Sequence, residues 1–236
     1  MKQRAGASTR EDRATIWVVF WFGALWGAAE ALAGGLFHLV LPPTYAGRLM
    51  LLVAGSLCTY AIRVTGRPGA PLAMAAVAAP LKLLSAAVFG IPVVMPVILN
   101  PFFSILSEGA AFALLATWLL RRLAPSPSRF AVFGVSAGAL QAPLFIACAV
   151  AAGRWLYPSQ TEIEALGLAY PAWTLSVAGW LGLLAQMLPL TFLLGGVAAV
   201  VGARLPCLKP ARLQPALLLS SGLLCLAISL LSAWSI

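Results

Sequence analysis

An all-α fold, a polytopic bundle of membrane-spanning helices, is what this sequence predicts, on three observations. Apolar residues make up 62% of the 236 residues and charged residues 9%, too few charges to cover a soluble domain of this length. The apolar residues gather in runs of about 20, the length that crosses a bilayer as a helix. Turn-forming clusters and most of the basic residues fall between those runs.

The elements follow in order. Residues 1–14 form a basic tail with Lys2, Arg4, Arg10 and Arg13. The first span is expected over 15–41. Ala31-Leu32-Ala33 mimics a signal-peptide cleavage site, but the apolar run is far longer than a signal sequence allows and contains Glu30, so it reads as a retained helix. Pro42-Pro43 closes it. The second span, 48–63, is short and is expected to extend by a few residues. Thr65-Gly66-Arg67-Pro68-Gly69 is a turn, and the third span follows over 70–90. Residues 91–101 are uncharged and apolar with three prolines. They are expected not to form an ordinary helix but to dip into the membrane or cap a cavity. Spans at 101–120, 130–153 and 172–201 complete a six-helix core over 15–201. Pro125-Ser126-Pro127 separates the first two of these, and a solvated loop with Arg154, Glu162 and Glu164 separates the last two. A cytoplasmic loop, 202–214, leads to a seventh, C-terminal transmembrane helix over 215–236. No hydrophilic stretch is long enough for a second domain.

Loop charge orients the bundle. With the N-terminus in the cytoplasm, the inner segments hold the four basic residues of the tail, Arg63, Arg67, Arg121, Arg122, Arg129, Arg204, Lys209 and Arg212, against only Arg48 and Arg154 outside. Positive charge is retained on the cytoplasmic side, so this alternation supports both the orientation and the span count.

The same placement excludes a nucleic-acid partner despite the net charge of +9, because the basic residues form no stripe with interleaved aromatics. Cys58, Cys148 and Cys225 lie in apolar runs and Cys207 in a loop, with no CxxC or metal-ligand spacing. No HExxH, GxSxG or P-loop is present, and there is one histidine. An enzyme is therefore not expected, nor a resident metal or cofactor.

Ionisable groups within a bilayer are costly and usually face the protein interior. Glu30, Lys82 and Glu108 are such groups. At about 1.5 Å per residue they lie roughly 22, 18 and 18 Å from the cytoplasmic helix ends, near the midplane. Gln141 and Gln186 fall at the same level, and Asn100 sits at the outer mouth of the fourth span. Pro80, Pro143 and Pro189 lie two or three residues from Lys82, Gln141 and Gln186, and each frees a backbone carbonyl. A shared polar layer predicts the floor of an outward-opening cavity. The alternative is an ion pair in which Lys82 pins Glu30 or Glu108 across two helices. His38, near the outer interface, is a bystander or a contact for an entering solute. Trp21, Trp26, Trp173 and Trp180 serve as interfacial anchors or stacking partners.

Gly23, Gly27, Ala31 and Gly35 form a small-residue ridge that lets a helix approach closely, either one of the chain's own or a partner's. Ala29-Glu30-Ala31-Leu32-Ala33 loosely echoes Ser107-Glu108-Gly109-Ala110-Ala111 on a span of opposite direction, as an inverted repeat would.

The size, the cytoplasmic N-terminus, the six compact helices, the Gly23/Gly27/Ala31 ridge and the apolar loop between spans three and four resemble the substrate-binding S-components of energy-coupling factor (ECF) transporters, over about residues 15–201. The ridge is glycine-rich rather than alanine-type, and the seventh helix exceeds the usual six. The resemblance implies a bacterial cytoplasmic-membrane protein whose first-helix ridge meets a transmembrane coupling subunit, with ATP hydrolysed by separate subunits. It places the solute in the outward half, beneath gating loops at Pro42–Arg48 and Ile91–Pro101. The expected function is that of a membrane-embedded subunit capturing a small molecule from outside, at a site of Glu30, Lys82, Glu108, Gln141, Gln186, His38 and Asn100. A self-contained proton-coupled transporter and a structural subunit of a membrane complex are the alternatives.

Overall fold

The computed structural model describes residues 15–31, 43–90, 93–94, 96–120, 126–156 and 177–206. All regular structure among them is helical: α1 (Thr15–Ala31), α2 (Pro43–Thr65), α3 (Ala70–Phe89), α4 (Pro96–Leu115), α5 (Pro127–Leu156) and α6 (Val177–Arg204). A five-residue π-helical turn, Ala116–Leu120, extends α4. Four stretches are long and apolar enough to cross a membrane: Gly47–Thr65, Ile98–Leu119, Pro127–Ala152 and Leu181–Arg204. Thr15–Ala31 and Ala70–Leu84 are shorter apolar helices. The basic tail, His38, the loop over 157–176 and the C-terminal span over 215–236 lie outside the described residues.

Local chemistry sets the helix ends. The Gly66 N–H bonds the Ile62 carbonyl at 2.8 Å with φ at +66°, a left-handed stop that closes α2. Gly90 closes α3 in the same way, at φ +63° with its N–H on the Ala86 carbonyl. Residues 96–101 correct the sequence reading, because they are α-helical. Pro96 is the first residue of α4, where no helical N–H is needed. Pro101 stands early in α4 and forfeits only the bond to the Val97 carbonyl. Asn100 is the fifth residue of α4, near its starting end.

Helix directions follow from the contacts. Gly23 on α1 faces Met74 and Val77 on α3, and Gly27 faces Ala78 and Leu81, so α1 and α3 run in parallel. Arg48, Ser56 and Arg63 on α2 reach Gln186, Ala198 and Gly202 on α6 in the same order, so these two are parallel as well. Gly134 and Gly138 on α5 meet Gly195 and Thr191 on α6 in reverse order, and Ser107 and Phe112 on α4 meet Gln141 and Phe133 on α5 in reverse order. With the short Gly66–Gly69 link reversing α2 into α3, directions alternate along the chain.

Small residues make this packing possible. A Cβ on Gly134 would collide with the Gly195 carbonyl, and one on Gly138 with the Thr191 carbonyl. The α5 and α6 backbones therefore touch, as small-residue faces permit between helices in lipid. The main core joins Phe22 and Trp26 of α1, Cys58 and Tyr60 of α2, Met74 and Ala78 of α3, Ile105 and Phe112 of α4 and Phe133 of α5. Leu181, Phe192, Leu193, Val197 and Val201 face outward along α6, where a bilayer would meet them.

Candidate functional site

The buried charges converge. Glu30 on α1 and Glu108 on α4 are 7% and 3% exposed. Lys82 on α3 lies within electrostatic range of Glu30, and Glu30 within range of Glu108. The α1–α3 register explains the first pairing. Gly27 faces Ala78 and Leu81, so three residues further along two parallel helices Glu30 reaches the turn that carries Lys82. Glu30 thus stands between two neighbours, the partly buried Lys82 on α3 and the buried Glu108 on α4.

A polar ladder on α4 supports Glu108. Ser104 Oγ donates to Glu108 Oε1 at 2.9 Å, one helical turn away. Ser107 Oγ donates to the Ser104 carbonyl at 2.9 Å. Gln141 Nε2, buried on α5, donates to Ser107 Oγ at 3.4 Å. The amide anticipated in the polar layer therefore joins the carboxylate through two serines. Sequence reading passed over these serines; the available signal was a Ser four residues before an intramembrane Glu.

Other expected members fall elsewhere. The Gln186 side chain is exposed on α6, and only its backbone carbonyl takes part in the interior, as acceptor for Arg48. Asn100 is exposed on α4. Gln186 is a correction, whereas an exposed Asn100 close to the start of α4 agrees with the expected outer mouth. Depth along a helix was legible, but on helices apolar all round the rotation of each residue was not. Gly23 and Gly27 are buried against α3, so this part of the ridge is used inside the chain and is no docking surface; Ala31 is half-buried. Trp26 is fully buried in the main core, where it cannot serve as an interfacial anchor, and Trp21 is partly buried beside it. Trp173 lies outside the described residues.

Arg48 is the residue that sequence reading misplaced. An outer-loop charge by its place in the sequence, it is instead the sixth residue of α2 and only 9% exposed. Its Nη1 donates to the Gln186 carbonyl at 3.2 Å, and its guanidinium lies 5.6 Å from the centre of the Tyr45 ring. Pro189 leaves the neighbouring Ala185 carbonyl without its helical donor, so this stretch of α6 is rich in acceptors.

Among the described residues no three His, Cys, Asp or Glu side chains gather to hold a metal ion. The cluster offers carboxylate acceptors and an ammonium donor in a setting where an unmatched charge is expensive. Such a cluster can bind a polar solute or fasten helices. No protein-family model, curated protein or solved structure matches the chain.

Proposed function

We propose that this protein is a solute-binding subunit of a membrane transporter, capturing a small polar molecule from the extracytoplasmic side at the Glu30–Lys82–Glu108 cluster. The observation that carries this reading is that the buried carboxylates Glu30 and Glu108 lie within electrostatic range of each other, while the one nearby ammonium group, Lys82, is in range of Glu30. A single ammonium group can balance one carboxylate, so the second is available to a cationic or hydrogen-bond-donating group of the solute. The Gln141–Ser107–Ser104 ladder orients Glu108 for that task. The N-terminus is cytoplasmic in this reading, which puts the first turns of α2, α4 and α6 on the outer side. The ECF S-component resemblance supplies the mode of action: the solute is bound here, and a partner ATPase drives its release.

Native mass spectrometry of the purified full chain tests the reading. A small molecule retained by the wild type and lost from Glu30→Gln and Glu108→Gln is the expected result. Equal retention in both variants would remove the site. Uptake by the chain alone in liposomes, without ATP and driven by a pH gradient, would replace the subunit reading with a proton-coupled transporter.

A further inference from the structure

Arg48 presents a chemistry that helix packing does not use up. Its guanidinium has five N–H donors. One bond is made, from Nη1 to the Gln186 carbonyl. Nε is buried and has no hydrogen-bond partner, and neither Nε nor Nη2 bonds any described residue. Nε–H and the adjacent Nη2–H point the same way and form the fork that grips a carboxylate or phosphate with two parallel bonds. The Nη1 contact pins the opposite edge, so the fork is held in place. No carboxylate among the described residues pairs with it, although a guanidinium held inside a membrane helix without a counter-charge is strongly disfavoured.

Elsewhere on the α2–α6 seam no charged group is left buried and idle, although the neutral Thr59 Oγ1, against Gly202, is also buried without a partner. Ser56 Oγ bonds the Leu52 and Ala198 carbonyls, and Arg63 Nη1 bonds the Gly202 and Leu205 carbonyls at 3.0 Å. Those contacts suffice to fasten α2 to α6. Arg63 is half-exposed at the far end of the helix, where solvent can serve its remaining donors, whereas Arg48 is nine-tenths buried with its Nε idle. Arg48 also lies at a height close to that of the charged cluster, because its acceptor Gln186 on α6 comes level with the part of α5 that carries Gln141, which bonds Ser107 beside Glu108.

We infer that Arg48 is the oxyanion-recognition residue of the solute site, and that the solute carries a carboxylate or phosphate group. This rests on the solute-binding reading and narrows it. The oxyanion docks on the Nε–Nη2 fork, and the polar or cationic part of the molecule faces Glu30 and Glu108. A phospholipid headgroup offers the same oxyanion chemistry, and the test separates the two sources.

The full chain is reconstituted in nanodiscs of zwitterionic lipid. Its thermal unfolding is followed while chloride is replaced by inorganic phosphate or acetate at constant ionic strength. The expected result is a rise in Tm for the wild type. Arg48→Lys keeps the charge but loses the fork, so its apparent affinity should fall about tenfold or more. Arg48→Gln should show no rise. If both variants fold and respond like the wild type, or the wild type does not respond, the inference is overturned. A response to phosphatidylglycerol in the nanodisc, with none to the soluble anions, overturns the assignment to a solute. Glu108→Gln keeps the anion response in either case. An intact anion response alongside full ligand retention in the carboxylate variants would therefore sink the cluster reading and leave the Arg48 anion site standing. A lost anion response with retention still dependent on Glu30 and Glu108 would do the reverse.

Discussion

Ser104 Oγ donates to Glu108 Oε1 at 2.9 Å within one turn of α4, and this bond sets how the deepest acid meets the rest of the bundle. It occupies one oxygen of a carboxylate that lies within electrostatic range of Glu30. The serine also gives the carboxylate a donor that does not depend on any other helix. Ser104→Ala should therefore cost about 1–2 kcal/mol. Chemical denaturation in a mild detergent checks this, and an unchanged midpoint would show that the bond contributes nothing.

Glu30 and Lys82 come from different helices, and their coupling is measurable. In a double-mutant cycle of Glu30→Gln and Lys82→Met, a coupling energy of about 1 kcal/mol or more is expected for interacting neighbours. Additivity within about 0.5 kcal/mol would mean that the two act independently. The cycle also separates roles. A purely structural pair should show coupling in stability alone, whereas a solute site should show it in ligand retention as well.

The α5–α6 contact has no room for a side chain at Gly138, whose Cβ would run into the Thr191 backbone. Gly138→Ala should destabilise the protein by about 1–3 kcal/mol, despite alanine's better helix propensity. Gly182, which has open space around it on α6, is the control: Gly182→Ala should be neutral or slightly stabilising. Paired thermal melts give the comparison.

Arg63 closes the far end of the α2–α6 seam by donating to two α6 carbonyls. Arg63→Ala should raise hydrogen exchange in the last turn of α6 at least several-fold, corresponding to about 1–3 kcal/mol of local stability. Exchange confined to the wild-type rate would mean that Tyr60, which donates to the Pro206 carbonyl at 2.9 Å, holds that end alone.

Orientation is testable by labelling single cysteines in intact cells. A cysteine at exposed Gly69, between α2 and α3, should resist an impermeant reagent, and one at exposed Val93, just after α3, should react. The reverse pattern would invert the bundle and place Arg48 on the cytoplasmic side.

Much of the fold was legible because the signals are local. Run length against bilayer thickness marked the helices, and glycine turns at Gly66 and Gly90 ended them within a few residues of the expected positions. Proline was the exception. Pro96 and Pro101 were read as barring a helix, yet a proline at a helix start costs little and one in the second turn removes a single bond. The similar heights of Glu30, Lys82 and Glu108 along their helices were also legible, because rise per residue is constant.

What the sequence by itself determined is a set of apolar rods with polar groups at known heights. Tertiary structure alone decided which way those groups turn. Gln141 and Gln186 sit at similar heights, yet one is buried against Ser107 and the other is exposed. On a soluble helix the polar face would have given the rotation away. On rods that are apolar all round it is set by close packing between neighbours, as where Gly134 meets Gly195. The same packing carried Arg48 from an assumed loop into the interior, since a difference of one turn at the start of α2 separates a solvated charge from a buried one.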